Sequence, residues 1–253
     1  MGSKGGIVFD RQWPWPIFCS RRGIMVAGLS LLLILGACQT TTSDGSMALP
    51  APSVRPAQLP AAQTVRYVIR PDLSELRFLV FRAGTLARLG HSHVVQANNI
   101  QGEIHLAQAI RQSSFSLVLP VADFRVDDES SRLEEGEEFA KLPDAEAIAG
   151  TTRNMLGEKV LDAARYPNIE IESLALDGPD WGPDIAVRIK LHGVEREMTV
   201  PTAIERNGEQ LVVTALFSVN QSDFGITPLS GLGGAVQVAN TLRVRMRLVA
   251  RKA

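Results

Sequence analysis

The sequence predicts an all-β domain with one helix, built as an antiparallel β-barrel of about eight strands, and three observations carry that prediction. Apolar side chains recur with period two through most of residues 64–253. An Asn-Gly pair joins two of these alternating runs. Only one stretch, near residue 150, shows helical spacing.

Strands are predicted first over Val65–Ile69 and Glu75–Arg82. Ile100, Ile104 and Leu106 then oppose Gln101, Glu103 and His105, and Phe115, Leu117 and Leu119 oppose Ser114 and Ser116. The helix is predicted from about Ala145 to Ala164, where Ile148, Met155, Leu156, Val160 and Ala163 recur every three to four residues. Tyr166-Pro167 stops it, because a residue preceding proline is pushed out of the α region. Strands resume over Asn168–Leu176 and again where Ile185, Val187, Ile189 and Leu191 oppose Arg188, Lys190 and His192. Met198–Glu205 and Gln210–Val219 form a predicted hairpin around Asn207-Gly208, a pair suited to a type I′ turn. In the last strand Leu242, Val244, Met246 and Leu248 alternate with Thr241, Arg243, Arg245 and Arg247.

About nine strands and one helix fit a closed or nearly closed barrel, or a sandwich. A membrane-spanning barrel would turn its apolar face outward and ring it with aromatic residues. This domain has only Tyr67, Tyr166 and Trp181 for such a girdle, so the apolar faces are expected to point inward. A barrel of about eight strands is just wide enough to be filled by side chains or to hold one slender ligand.

Upstream of the domain, Arg21-Arg22 precede the uncharged apolar run Ile24–Ala37, which ends in Leu35-Gly36-Ala37-Cys38. Fourteen residues match a signal-peptide core and fall short of a bilayer span. Residues 1–37 therefore read as a lipoprotein signal peptide, with Cys38 as the acylated first residue of the mature chain. The rival is an ordinary cysteine at the end of an apolar helix. Gln39 suits sorting to the outer membrane, facing the periplasm. Ser20-Arg21-Arg22-Gly23-Ile24-Met25 also resembles a twin-arginine signal. Residues 38–63, rich in Thr, Ser and Ala with Pro50, Pro52, Pro56 and Pro60, read as an extended tether reaching on the order of 75 Å. Residues 64–253 form the domain. Cleavage would leave 22 basic against 26 acidic side chains and no disulfide, so no nucleic-acid surface is implied.

Four motifs in order resemble the YceI-like family of lipocalin-like, polyisoprenoid-binding proteins. They are Tyr67-Val68-Ile69-Arg70-Pro71-Asp72-Leu73-Ser74, Tyr166-Pro167-Asn168-Ile169, Leu191-His192-Gly193-Val194 and Asp223-Phe224-Gly225-Ile226. The resemblance covers Tyr67 to Ala250. It departs at Leu73, where the family has His, at Gln221, where it has Arg, and at Leu89-Gly90-His91-Ser92-His93, which resembles a Gly-His-x-His branch.

The resemblance implies an elongated apolar channel for an isoprenoid lipid, a quinone or another long chain, with carriage, storage or sensing as the role. Each buried methylene contributes about 0.8 kcal/mol, so ten carbons give on the order of 8 kcal/mol before lost freedom is deducted. The inward candidates are Phe78, Val80, Ile104, Phe115, Leu117, Leu119, Val187, Ile189, Val213, Phe217, Val244 and Met246. The same residues would equally fill a dry core, which makes a solid-cored interaction domain the second alternative.

His91 and His93 are the only arrangement suggesting metal or haem chemistry, as in a redox accessory protein. In an extended strand they point the same way, and Asp123, Asp127 or Asp128 would have to fold back as a third ligand. The acidic run from Asp127 to Glu138, relieved only by Arg132, is expected to be a solvated loop or helix face. No nucleophile elbow, phosphate loop or cysteine pair is present, so hydrolytic catalysis has no support in the sequence.

Overall fold

The computed structural model describes residues 63–253; the predicted signal peptide, Cys38 and nearly all of the predicted tether lie outside the described residues. Within them the strands are β1 (Thr64–Ile69), β2 (Glu75–Val80), β3 (Arg82–Ala83), β4 (His93–Ala97), β5 (Gln101–Ala107), β6 (Ser114–Pro120) and β7 (Phe124–Val126). Three helices follow, α1 (Glu129–Leu133), α2 (Glu137–Ala140) and α3 (Ala145–Leu156). The remaining strands are β8 (Asn168–Asp177), β9 (Asp184–Leu191), β10 (Val194–Asn207), β11 (Gln210–Asn220), β12 (Ser230–Gly231), β13 (Val236–Val238) and β14 (Thr241–Lys252).

Eight strands close an antiparallel barrel in the order β1-β5-β6-β8-β9-β10-β11-β14, and β14 returns to β1 through Tyr67↔Lys252 and Ile69↔Ala250. The first half of β14 instead pairs with β2 (Val244↔Phe78), and the sheet continues from there through β4 to β7. The barrel is thus sealed at one end and forked at the other. β1 and β2 are one strand interrupted by a single turn at Pro71–Leu73, where proline has no N–H for the ladder. The hydroxyl of Ser74 patches the gap: it donates to the Arg70 carbonyl at 2.7 Å and accepts from the Val249 N–H at 2.9 Å. One contiguous apolar core fills the interior, from Ile69 and Leu76 through Leu119 and Ile189 to Val244 and Ala250.

Three helices replace the single one expected. Asp128 starts α1 by accepting the Ser131 N–H at 3.2 Å, so part of the acidic run is helical. Asp144 caps α3 in the same way through the Ala147 N–H, at 2.8 Å. This helix ends at Leu156 rather than near Ala164 because Gly157 takes an extended conformation. The Met155 and Leu156 carbonyls are then met by the N–H groups of Leu161 and Ala163 in non-helical turns, and Val160 and Ala163 still reach the core.

The hairpin at Asn207-Gly208 forms as expected, but Asn207 pairs with Gln210, so Gly208 and Glu209 are the central residues. Only Gly208, at φ +60°, has a positive φ, which is the type II′ pattern. The type I′ signature occurs instead between β9 and β10, where His192 (φ +53°) and Gly193 (φ +74°) both lie in the left-handed region.

Candidate functional site

Two cavities are stacked along the barrel, because residues two apart on the same strands line successive layers. The deeper one, about 70 Å³, is walled by Ile104, Phe115, Leu117, Val187, Ile189, Val213, Phe217 and Met246, eight of the twelve inward candidates. This is less than half the roughly 150 Å³ of a dry apolar cavity that admits benzene, so by itself it holds no chain.

The second cavity, about 570 Å³, occupies the forked end. Phe78 and Val80 line it, as do Phe124, Ile169, Leu191, Val219, Phe224, Ile226 and Leu242. Its roof comes from α3 and the turns after it through Met155, Val160 and Leu161. A volume of this size lies within the range of small-molecule sites. Leu119 and Val244, each 1% exposed, line neither cavity and belong to the packed core. On β14, Val244 stands between Leu242 of the outer cavity and Met246 of the inner. The continuous channel expected from the sequence is therefore a roomy mouth above a nearly filled floor.

His91 and His93 both line the mouth, with ring centroids 6.3 Å apart in an edge-on arrangement. Only His93 belongs to a strand, opposite Val80 on β2. Its Nδ1 lies 2.6 Å from the carboxylate of Asp127, which has no exposed side-chain surface. The other carboxylate oxygen of Asp127 accepts the Val94 N–H at 2.9 Å and pairs with Arg132. Arg132 is itself buried, donating to the carbonyls of Ser92 (2.8 Å) and Lys141 (2.7 Å). Burial disfavours charge on Asp127, but the hydrogen bonds from His93 and the Val94 N–H and the charges of His93 and Arg132 outweigh it, holding the carboxyl below its ordinary 3.8. For His91, burial and then the positive charge of His93, Lys141 and Arg132 push the ring towards its neutral form.

Of the three carboxylates considered as a third metal ligand, Asp127 folds back, and it does so onto a ring nitrogen of His93. Asp123 accepts a hydrogen bond from Asn99 at 2.9 Å, and Asp128 caps α1. His105 bonds Glu103 at 2.8 Å on the outer face, and His192 sits in a hairpin turn. Among the described residues no group of three His, Cys, Asp or Glu side chains is placed to hold a metal ion.

The expectation of a solvated acidic run is corrected at Asp127 and at Glu135. Asp127 is fully buried, and the Glu135 side chain, 5% exposed, pairs with the buried Arg77 at 2.9 Å. Glu138 accepts from Ser92 at 2.6 Å and from Arg82 at 3.0 Å. Sequence reasoning offered Asp127 only as one of three candidate metal ligands beside the histidines, and missed Arg132 as a support of the mouth. The one available signal was the lone Arg132 within a run of acids.

A family model for the YceI-like domain matches residues 67–250. No curated protein sequence matches the chain. The solved structure of BcnA from Burkholderia cenocepacia is similar over 72% of this chain and 98% of its own, at 16% identity and a TM-score of 0.54. The YCEI protein of Campylobacter jejuni is similar over 63% of this chain and 84% of its own, at 9% identity and a TM-score of 0.46.

Proposed function

The chain belongs to the YceI-like family, and on that premise we propose that its barrel takes up a long-chain isoprenoid lipid, chain first, through the forked end. The family is one of binding proteins for hydrophobic lipids. The observation that carries the reading to this chain is the mouth cavity of about 570 Å³, walled by Phe78, Val80, Phe124, Ile169, Leu191 and Leu242. Such walls recognise shape and apolarity, and burial supplies the affinity at about 0.8 kcal/mol per methylene. A cavity of that size also weighs against a solid-cored interaction domain.

We place the protein in the cell envelope as a lipoprotein, anchored through an acylated Cys38 and facing the periplasm from the outer membrane. Support comes from the sequence, where Leu35-Gly36-Ala37-Cys38 follows an apolar run too short to span a bilayer. The Pro-rich stretch after Cys38 would let the barrel stand off the surface and exchange cargo.

Organic extraction of the full chain purified from an expression host, followed by mass spectrometry, is expected to yield a bound isoprenoid chain. A clean extract together with no uptake of isoprenoid quinones or polyprenyl phosphates overturns the lipid reading. Labelled palmitate is expected to enter the wild-type chain but not Cys38→Ser; equal labelling of both removes the anchor.

A further inference from the structure

We propose that the two loops at the rim of the mouth, through Leu89 and Leu232, dock the barrel on a bilayer surface of anionic phospholipid, so that the mouth opens onto the membrane. The inference goes beyond the cargo and rests on the lipid-binding reading for its purpose.

The argument starts from two leucines left in water. β3, β12 and β13 form a small sheet of their own, apart from the barrel sheet, with Ala83 opposite Gln237 and Gly231 opposite Val236. Its two loops are bonded to each other: the Leu89 N–H donates to the Leu86 carbonyl at 2.9 Å, the Leu86 N–H to that of Ala235 at 2.8 Å, and the Ala235 N–H to that of Leu232 at 3.3 Å. Gly90 and Gly231, the chain neighbours of the two leucines, line the mouth. Leu89 is nevertheless 57% exposed and Leu232 70%. Leu232 also holds φ +50°, a left-handed conformation that leucine adopts only at a cost. A strained backbone that sets an apolar side chain in water points to a partner that covers it.

Charge selects that partner. No acid occurs from residue 76 to 102 or from residue 224 to 253, the stretches that hold both loops, although the mature chain would carry 26 acidic against 22 basic side chains. Asp223, just before the second stretch, already accepts from Asn220 at 3.1 Å. Arg88 stands exposed beside Leu89 with no ion pair among the described residues, whereas Arg82 at the base of the same loop is held by Glu138 at 3.0 Å. Leucine beside arginine suits a headgroup layer, with the apolar chain buried and the cation among phosphates. The sealed end carries the opposite pattern: beyond Leu176 and Ile185 of the deeper cavity, the 73% exposed Trp181 sits in a turn with Asp177, Asp180 and Asp184, which an anionic surface repels. The chain enters the barrel at that sealed end, since Tyr67 pairs with Lys252 and Thr64 lies beyond it. β14, with 12 residues, is on the order of 40 Å long, so a tether reaching on the order of 75 Å lets the mouth turn towards the anchoring membrane.

The test reads hydrogen exchange by mass spectrometry on the full chain reconstituted into vesicles of phosphatidylcholine, alone or mixed with phosphatidylglycerol. Amides of residues 84–90 and 230–236 are expected to exchange about tenfold more slowly on the mixed vesicles, and those of residues 178–183 at the same rate on both. Leu89→Ser combined with Leu232→Asn, the latter suited to a left-handed backbone, is expected to abolish the difference while keeping the urea midpoint, because both side chains are exposed. The wild-type comparison needs no variant to fold. Equal exchange on the two vesicle types overturns the docking surface, as does a difference that survives in the double variant. Slowing confined to residues 178–183 overturns it in favour of the sealed end. Organic extraction of the same samples separates this inference from the lipid reading. An isoprenoid in the extract without loop protection removes only the docking surface, whereas loop protection with a clean extract leaves the docking surface and removes the cargo.

Discussion

The buried carboxylate of Asp127 stands 2.6 Å from Nδ1 of His93 and shares its other oxygen between the Val94 N–H and the buried Arg132. One side chain thus ties the cavity wall to the segment carrying α1 and α2. Asp127→Asn leaves the Arg132 guanidinium buried without a countercharge, an arrangement that costs about 3–5 kcal/mol. His93→Ala removes a hydrogen bond to the charged carboxylate, about 1.5–3 kcal/mol, and leaves Asp127 still paired with Arg132 and the Val94 N–H. Urea denaturation is expected to rank the two variants in that order. Equal losses would mean that Arg132 does not depend on Asp127.

Acid should loosen this segment before the barrel. Burial opposes charge on Asp127, yet its hydrogen bonds and cationic neighbours keep it below 3.8. Hydrogen bonds from Ser92 and Arg82 hold Glu138 below 4.5, and those from Ser130 and Ser131 hold Asp128 below 3.8. Carboxyls depressed in the folded state contribute stability that is complete above their unfolded values and is lost as pH falls through the folded ones. Amides of residues 127–138 are therefore expected to lose hydrogen-exchange protection, after correction for intrinsic rates, as pH falls below about 4. Protection in β11 and β14 should outlast theirs. A simultaneous loss everywhere would show that the segment is not a separate acid-sensitive unit.

Two glycines in left-handed conformations should answer differently to alanine. A Cβ on Gly208 (φ +60°) meets nothing within 4 Å, so Gly208→Ala carries only the backbone penalty of roughly 1–2 kcal/mol. A Cβ on Gly193 (φ +74°) would lie 2.6 Å from the ring of Tyr166, which also packs edge-on against His192 at 5.4 Å. Gly193→Ala is expected to cost at least about 1 kcal/mol more than Gly208→Ala, because the ring must also move. Thermal or urea unfolding of the two variants measures the difference, and equal costs would mean Tyr166 yields freely.

Long barrel strands were legible in the sequence because each has one wet face and one dry face. On β14, Arg243, Arg245 and Arg247 are exposed while Val244 and Leu248 are buried. β4 offered no such alternation. Val95 enters the barrel core, while Val94, 1% exposed on the opposite face, packs with Leu79 and Phe139 of α2. A strand buried on both faces has no period-two signal. The burial of Asp127 was hidden for a related reason: a carboxylate in an acidic run reads as solvated until the arginine within that run and a distant histidine are known to converge on it. The twelve inward candidates all lie in or against the core, but which ten of them line the two cavities depends on closure and register, which periodicity does not encode.

That division makes the length of the bound chain a measurable property of Val244. Its side chain stands between Leu242, which lines the mouth, and Met246, which lines the void of about 70 Å³ beneath. Val244→Ala removes two methyl groups from a site only 1% exposed, at a cost of about 2 kcal/mol, and opens space between the two cavities. A chain lying in the mouth could then extend downward past Ile189 and Phe217. Lipids extracted from Val244→Ala should therefore be longer than those from the wild type, while Val80→Trp, which fills the mouth, should reduce the total extracted. An unchanged length distribution in Val244→Ala would show that the lower void is a packing defect of the core and no part of the lipid's path.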